Sequence, residues 1–296
     1  MNKASTLVLG CTGSVGSRVV KSLLDHEIFV YGVRFNTECG IRHPLHNCYK
    51  YNLLEFNGYD LIRDLKPQNL IHTAWESTPG VFWDSPLNNL WLAASKQIIS
   101  IFQEYGGEYL AVTGSCAEYC WETDSKLNEN SPTYPSTEYG INRLNLFNWL
   151  KDRPINILWT RTFFQYGLNE PHGRLIPSVI DNIIEKKVFL VNGKNDIRDF
   201  VFVEDVALNL SSLILKKEEG IFNLGSGIEV KVEDLIGKII KILGGENLVN
   251  FENNNKSSYV VSDPRKLEST LGRNIWKNLD ESLIKTIESR IKTKIQ

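Results

Sequence analysis

The hydrophobic residues of the chain follow two alternating spacings from residue 6 to about residue 160. Short apolar runs end in turns, and each leads into a longer segment in which apolar residues recur every three or four positions. The apolar runs cover residues 6–9, 28–33, 70–72, 109–113 and 155–159, and a further strand is predicted at 48–51. This alternation predicts a parallel sheet covered by helices on both faces.

Helical spacing is clearest over residues 14–25, 86–105 and 138–150. The second of these segments carries an apolar stripe that we predict to face the core, formed by Leu87, Leu90, Trp91, Ala94, Ile98, Ile101 and Phe102. After about residue 161 the rhythm changes, and Pro171 and Pro177 indicate a loop. In this part we predict helices over 178–186, 232–243, 264–271 and 281–291, and short strands over 188–191 and 199–203.

Composition restricts the possible partners of the chain. Its 296 residues include 33 basic and 35 acidic side chains, a formal net charge of -2, and 42% hydrophobic residues. That hydrophobic fraction is enough for a sizeable core and excludes a disordered chain. Since there is no basic excess to neutralise a phosphate backbone, we expect no nucleic-acid partner. The apolar runs are far shorter than the roughly 20 residues of a membrane helix, so we expect no membrane either.

The five cysteines form no evenly spaced set, and no charged-then-apolar leader begins the chain, so we expect a cytoplasmic protein. Cys39, His43, His46 and Cys48 lie close together in the sequence and raise the question of a zinc site. Their spacing, Cys-x3-His-x2-His-x1-Cys, matches no common structural zinc site. We therefore expect no bound metal.

A glycine-rich segment connects the first predicted strand to the first predicted helix. The first glycine allows a tight turn, the second lets a pyrophosphate approach bare backbone, and the third lets the helix pack closely with its N-terminus facing the phosphates. The position between strand and helix favours a dinucleotide site over glycines that only shape a turn. We predict cofactor contacts from Gly10, Thr12, Gly13, Ser14, Val15 and Gly16.

The spacing Gly-x-x-Gly-x-x-Gly resembles that of the extended short-chain dehydrogenase/reductase superfamily, whose members bind NAD or NADP. The resemblance implies an α/β fold, with a Rossmann-type doubly wound parallel sheet and a smaller C-terminal substrate-binding lobe. It implies that residues 1–165, joined again by 200–225, form the NAD(P)-binding domain. Residues 166–199 and 226–296 would then form the substrate-binding lobe.

Cofactor choice in such enzymes depends on the end of the second strand, where an acid binds the ribose hydroxyls and a base accommodates a 2′-phosphate. This chain has Arg34 there and no acid, so we predict NADP. NAD stays possible if Arg34 is only a solvated charge at a strand end. The resemblance adds Asn52 and Leu53, near the adenine, and Thr73 and Ala74, after the fourth strand, to the predicted cofactor contacts.

Ser115, after the fifth strand, and Tyr139, at the start of the helix over 138–150, match the superfamily's catalytic hydroxyl and proton-transferring tyrosine. Hydride transfer between a nicotinamide and a carbonyl or carbinol carbon requires proton transfer at the same oxygen. A phenol with a pKa near 10 is a poor base at neutral pH, so a cation one helical turn away is needed to favour the phenolate. Arg143 occupies that position. We assign Ser115, Tyr139 and Arg143 as catalytic, and Tyr139 and Arg143 also as cofactor contacts.

The superfamily has lysine where this chain has Arg143. An arginine keeps the charge and can hydrogen-bond a ribose, but its planar fork differs from a compact ammonium group. Two interpretations stay open. Either Arg143 performs the role of the lysine with altered geometry, or the chain is a catalytically weak NADP-binding sensor protein. The retained Ser115 and Tyr139 favour an active enzyme.

Several later segments resemble members that act on nucleotide-diphosphate sugars, namely 161–167, 174–177, 198–207 and 222–227. The resemblance implies that Arg198 contacts the substrate's diphosphate, which a planar guanidinium can bind in a bidentate manner. A structural ion pair with Asp199, Glu204 or Asp205 is the alternative. Arg174 is a second phosphate candidate. Trp75 and Cys116 complete the predicted substrate contacts, although Trp75 could equally serve in packing.

The residues after Ser115 limit the type of reaction. Related dehydratases have an Asp-Glu pair directly after the catalytic hydroxyl, whereas this chain has Cys116 and Ala117. We therefore predict reduction of a 4-keto nucleotide-diphosphate sugar with NADPH. The alternatives are a nucleotide-sugar 4-epimerase and an NADP-dependent reductase of a small carbonyl compound. The resemblance also implies a homodimer.

Overall fold

The computed structural model describes residues 5–55, 59–168, 170–252, 257–272 and 276–295. Its helices and strands are, in chain order, β1 (Thr6–Leu9), α1 (Gly16–Asp25), β2 (Val30–Arg34), β3 (His46–Lys50), α2 (Tyr59–Leu65), β4 (Asn69–His72), α3 (Leu87–Glu104), β5 (Tyr109–Ser115), α4 (Glu138–Leu150), β6 (Asn156–Thr162), β7 (Phe164–Tyr166), α5 (Leu175–Ile184), β8 (Phe189–Val191), β9 (Ile197–Arg198), β10 (Phe200–Phe202), α6 (Val203–Leu215), β11 (Gly220–Leu224), β12 (Val230–Lys231), α7 (Val232–Leu243), β13 (Val249–Phe251), β14 (Tyr259–Val260), α8 (Arg265–Leu271) and α9 (Leu279–Ile295).

Seven of these strands form the central sheet, in the order β3-β2-β1-β4-β5-β6-β11. Every neighbouring pair in it is parallel. The strand order reverses between β1 and β4, which is the position where open α/β sheets bind ligands at the carboxyl ends of their strands. The predicted α/β, Rossmann-type fold is confirmed.

Helices cover both faces of the central sheet. On one face, α1 and α6 bury an apolar cluster that includes Val19, Leu23 and Leu210. On the other face, α2, α3 and α4 bury a second cluster, with Ile98 and Leu146 at its centre. A third cluster joins α5, α7 and α9 beside the three small sheets of the C-terminal half. None of the helices in the described residues is both long enough and apolar enough to cross a bilayer.

Two helix predictions differ from the structure for local reasons. The pattern predicts a loop bracketed by Pro171 and Pro177 and a helix from residue 178, but α5 begins three residues earlier, at Leu175. Pro177 is tolerated there because the first N–H groups of a helix have no intrahelical acceptor. In α3, Leu90 is 54% exposed, so its assignment to the core was wrong.

Two strand predictions were also longer than the structure allows. The second strand begins at Val30 rather than at residue 28, because Glu27 has a φ of 57° and the Ile28 N–H donates to the Leu23 carbonyl at the end of α1. The strand predicted over 199–203 ends at Phe202, because Val203 already begins α6. The α/β pattern itself is unchanged by these shifts.

Candidate active site

The glycine-rich segment forms a closely packed turn at the carboxyl end of β1. Gly10 has a φ of +81°, and a Cβ on Gly16 would lie 2.2 Å from the Gly10 carbonyl oxygen and 2.7 Å from Thr73 Oγ1. Thr73 Oγ1 donates to the Leu9 carbonyl at 2.8 Å, which holds the end of β4 against this turn. Within the described residues no side chain caps α1. The bare backbone and the open helix terminus fit a dinucleotide pyrophosphate.

The predicted cofactor residues beyond this turn have different environments. Ala74 lies against the turn, because a Cβ on Gly10 would be 3.0 Å from the Ala74 backbone nitrogen. Asn52 Oδ1 accepts the Leu54 N–H at 3.2 Å, and Leu53 is buried in the cluster beneath α3. Thr73 and Ala74 are therefore placed at the glycine-rich turn, whereas the contacts of Asn52 and Leu53 with a cofactor stay predictions.

Arg34 lies at the end of β2, in register with Lys50 of β3. Its Nη2 is 3.0 Å from Glu38 Oε2, and the Arg34 side chain is 14% exposed against 84% for Glu38. An ion pair with so exposed a carboxylate contributes at most about 1 kcal/mol. A bound phosphate could displace Glu38 from this pair at little cost.

Ser115 ends β5 and is held by the short 3-10 helix that follows it. Its Oγ accepts the Ala117 N–H at 3.1 Å, and its own N–H donates to Glu118 Oε1 at 2.8 Å. Glu118 is fully buried and accepts further hydrogen bonds from Arg161 Nε, at 2.7 Å, and from Trp159 Nε1, at 3.0 Å. This supporting role of Glu118 is not evident from its position three residues after Ser115 in the sequence.

The start of α4 packs directly against this turn. Thr137 Oγ1 caps the helix by accepting the Gly140 N–H, and the Tyr139 N–H donates to the Trp83 carbonyl at 2.9 Å. A Cβ on Gly140 would lie 2.3 Å from the Ala117 carbonyl oxygen. Only glycine therefore allows α4 to approach so closely, and this approach brings Tyr139 to the end of β5. Gly140 directly follows Tyr139 in the sequence, and its missing side chain is the sequence feature that indicates this close packing.

The guanidinium of Arg143 is buried and faces two aromatic rings. Its Cζ lies 4.1 Å from the centroid of the Trp75 ring and 5.4 Å from that of Tyr139, and the residue is 4% exposed. Nε and Nη1 of Arg143 find no hydrogen-bond partner within the described part of the chain. Because buried donors are normally paired, these nitrogen atoms fit a ligand that supplies the acceptors. This observation supports a bound cofactor next to Tyr139.

Trp75, a predicted substrate contact, supports Arg143 instead of lying open to solvent. Its ring stacks on Trp91 with centroids 6.1 Å apart, and its Nε1 donates to Asn88 Oδ1 at 2.9 Å. Cys116, another predicted substrate contact, is buried, and this burial raises the pKa of its thiol to about 12. A thiol that stays protonated beside Ser115 cannot accept a proton as a carboxylate at this position would.

Arg198 is bound by neighbouring groups of the chain. Its Nη2 lies 2.9 Å from Asp196 Oδ2 and 2.6 Å from Ser258 Oγ, and its Nη1 donates to the Ser258 carbonyl. The guanidinium also faces Phe164 and Trp121. Arg198 therefore forms a structural ion pair, as the alternative expected, but with Asp196 rather than with Asp199, Glu204 or Asp205. The role of Arg198 in binding a diphosphate stays a prediction.

Arg174 makes weaker contacts than Arg198, and one aromatic ring, that of Phe82, lies between it and Tyr139. Its nearest carboxylate oxygen, Glu170 Oε1, is 4.0 Å away. Its Cζ lies 5.7 Å from the centroid of Phe82, whose ring packs edge-on against Tyr139 at 5.0 Å. A guanidinium that makes so few strong contacts is better suited than Arg198 to bind a substrate phosphate.

Glu170 is expected to make the stability of the fold depend on pH. Burial raises its pKa from 4.5 to about 7. Because the folded chain holds this proton more tightly than the unfolded chain, stability falls as the pH rises from about 4.5 to 7. The change corresponds to at most about 3 kcal/mol.

The variant Glu170→Gln isolates this effect, since it cannot ionise. We expect it to match the wild type near pH 4.5 and to be more stable than the wild type at pH 8, in urea unfolding at both pH values. An equal difference between the two proteins at both pH values would show that Glu170 does not titrate in this range.

Comparisons with known proteins give a consistent assignment. The model of the NAD dependent epimerase/dehydratase family matches residues 6–225. The chain is 25% identical to a dTDP-6-deoxy-L-talose 4-dehydrogenase (NAD(+)) of Aggregatibacter actinomycetemcomitans, over 78% of this chain and 89% of that protein. It is 22% identical to a dTDP-4-dehydro-6-deoxyglucose reductase of Escherichia coli, over 97% and 98%. The crystal structure of a UDP-glucose 4-epimerase with UDP-glucose from Thermotoga maritima superposes with a TM-score of 0.85, at 19% identity over 98% and 99% of the two chains.

Proposed function

Since the chain belongs to the NAD dependent epimerase/dehydratase family, we propose that it is an NADP-dependent reductase of a 4-keto nucleotide-diphosphate sugar. The observation that supports this proposal is the burial of Arg143 beside the Tyr139 ring on α4, the helix whose Gly140 packs against the turn after Ser115. Arg143 is buried there and keeps two nitrogen atoms without a partner in the described residues. A group that fits these donors would lie directly beside the Tyr139 phenol.

A bound nicotinamide cofactor supplies the hydride in such a reaction. Tyr139 donates a proton to the oxygen of the reacting carbon, and Ser115 Oγ holds that oxygen by a hydrogen bond. Arg143 Cζ lies 5.4 Å from the centroid of the Tyr139 ring, so its guanidinium is placed to hydrogen-bond a cofactor ribose beside the phenol. The bare backbone at Gly10, together with Thr73, would hold the cofactor's pyrophosphate end.

Reduction is favoured over loss of water because no carboxylate in the described residues is available beside Ser115. Glu118 is the nearest acid in the sequence, and its oxygen atoms accept hydrogen bonds from Ser115 N, Trp159 and Arg161. Dehydration requires a group that can take a proton from a sugar carbon. Neither Cys116 nor Ala117 offers one.

We assign the substrate to the C-terminal lobe formed by residues 166–199 and 226–296. Two of the named relatives, the 4-dehydrogenase and the reductase, act on dTDP-linked 6-deoxy sugars, and a substrate of this class carries two negatively charged phosphates. Arg174 is the first candidate to bind them, because its guanidinium lies over Phe82 at the edge of the Tyr139 site. Arg198 would contribute only if Asp196 released it.

The test is incubation of the protein with NADPH and a panel of dTDP-, GDP-, CDP- and UDP-linked 4-keto-6-deoxy sugars. NADPH consumption with formation of a 4-hydroxy product is expected for one of them. A product formed without net loss of NADPH would identify an epimerase. Cofactor binding without turnover of any substrate would identify a sensor protein and contradict the proposal.

Cofactor preference is expected to depend on Arg34. The variant Arg34→Ala should weaken NADPH binding by about 10- to 100-fold and leave NADH binding unchanged, because one charge-assisted hydrogen bond to the 2′-phosphate contributes about 1.5–3 kcal/mol. The variant Glu38→Gln serves as the matched comparison. It should strengthen NADPH binding, because it removes the carboxylate that competes for Arg34. A wild-type protein that binds NADH ten times more tightly than NADPH would contradict this assignment.

We also propose that two copies pair through α3 and α4 as a homodimer. The two helices pack side by side, and each leaves an apolar side chain exposed: Leu90 in α3 and Ile141 in α4. Light scattering after size-exclusion chromatography should give twice the chain mass of 33.8 kDa. A single-chain mass at micromolar concentration would contradict the dimer.

A further inference from the structure

Cys11 of the glycine-rich segment meets two cysteines from a later part of the chain, Cys39 and Cys48. The Sγ atoms of Cys11, Cys39 and Cys48 all lie within 4.8 Å of one another, and those of Cys11 and Cys48 are 3.6 Å apart. Zinc–sulfur bonds of about 2.3 Å in a tetrahedral site place two sulfur atoms roughly 3.8 Å apart. The three thiols therefore have nearly the spacing of a thiolate metal site before any ion is bound.

His46 offers a fourth ligand atom on the Cys11 side of this cluster. It lies two residues before Cys48 on β3, so both side chains leave the same face of the strand. Its Nδ1 is 3.3 Å from the Ile41 carbonyl oxygen, which can only accept a hydrogen bond. The ring proton is therefore on Nδ1, and Nε2 carries a lone pair, as in metal-bound histidines.

The position of His46 Nε2 points to an ion at this place. The residue is 9% exposed, and Nε2 is buried without a hydrogen-bond partner in the described ranges. A Cβ on Gly32 would lie 2.9 Å from Nε2 and 2.8 Å from Cys11 Sγ. His46 Nε2 and Cys11 Sγ therefore both lie next to Gly32 of β2, where the side chain of any larger residue would stand between them.

We propose that Cys11, Cys39, Cys48 and His46 Nε2 bind one zinc ion. Three cysteines and one histidine form a common structural zinc set. The spacing between Cys39 and Cys48 did not indicate it, because Cys11 comes from a different part of the chain. His43, which the spacing seemed to include, accepts the Leu45 N–H through its Nδ1 instead.

The ion would join the connection between β2 and β3 to the glycine-rich segment. Cys39 lies in this connection, one residue after Glu38, the partner of Arg34. On the other side, the N–H groups of Gly10 and Cys11 both donate to the Val33 carbonyl at the end of β2. A metal at this place would fix the backbone on both sides of Arg34. The proposal does not depend on the reaction that the enzyme catalyses.

The test is titration of the reduced, metal-free chain with Co²⁺, which reports tetrahedral thiolate ligation by its visible and near-ultraviolet absorption. We expect one equivalent to bind and one equivalent of Zn²⁺ to displace it. Cys39→Ser should weaken Co²⁺ binding by more than about 100-fold, because even the loss of a group that only supports a ligand costs up to about that factor. Cys120→Ser, at a half-buried cysteine outside the cluster, should bind Co²⁺ as the wild type does.

A second variant keeps the proposal testable if Cys39→Ser does not fold, as judged by circular dichroism. His46→Gln retains all three thiols, and we expect weaker Co²⁺ binding with shifted absorption bands. A wild-type chain that gives no tetrahedral Co²⁺ spectrum would overturn the proposal. Equal Co²⁺ affinity in the wild type and in either ligand variant would do so as well. So would a Cys11–Cys48 or Cys39–Cys48 disulfide whose reduction does not restore Co²⁺ binding.

Discussion

Replacing Tyr139 with phenylalanine is expected to lower kcat by about 100-fold or more and the affinity for NADPH by at most about tenfold, since one lost hydrogen bond costs about 0.5–1.5 kcal/mol. A positioned proton donor contributes roughly 10²–10⁴-fold to such a reaction, and phenylalanine removes only the hydroxyl. The Tyr139 ring packs against Phe82 and Trp83, and phenylalanine preserves both contacts. The measurement is steady-state turnover on the substrate that the panel identifies, together with fluorescence titration of NADPH.

Tyr134→Phe is the matched control for this variant. Tyr134 lies five residues earlier and is 80% exposed, so the same loss of a hydroxyl should change kcat by less than twofold. Thermal unfolding of both variants shows whether either one alters the fold. If Tyr139→Phe kept full turnover while Tyr134→Phe behaved as the wild type, the proton would come from another group and Tyr139 would have no catalytic role.

The sequence predicted the elements of this site because their determinants are local. Helix α4 was predicted with its observed bounds, since Thr137 is an N-cap residue directly before Glu138. The same holds for α7, whose apolar residues recur at helical spacing until Gly244, with a φ of +74°, ends it. Ser115 and Tyr139 were found by their places at a strand end and a helix start, and the family match confirms the resemblance on which their roles rest.

The partners that hold the site were not predicted, because they come from distant parts of the chain. Arg198 was assigned to a phosphate on the basis of its segment, yet Ser258, sixty residues later, accepts two of its hydrogen bonds. Trp75 was assigned to a substrate contact, yet its ring faces Arg143 of α4. A sequence pattern specifies which residues lie on one strand or helix, whereas such pairings depend on how the helices and strands pack together.

Replacing Glu118 with glutamine is expected to lower the free energy of unfolding by about 3–5 kcal/mol, the usual cost of leaving one member of a buried ion pair without its partner. Arg161 is 2% exposed, so its guanidinium cannot turn to solvent when the carboxylate is lost. A glutamine would also turn an N–H₂ group toward donors on Ser115 or Trp159. Urea unfolding at pH 7 measures the change.

Two further variants separate the buried pair from an ordinary ion pair. The double variant Glu118→Gln/Arg161→Met should be less destabilised than the sum of the two single variants, because it leaves no buried charge without a partner. Asp280→Asn breaks the exposed pair with Lys238 and should cost less than about 1 kcal/mol. A loss below 1 kcal/mol for Glu118→Gln would contradict this account. Because Glu118 Oε1 also accepts the Ser115 N–H, kcat of the folded variant should fall with its stability, which links the buried pair to the position of the catalytic hydroxyl.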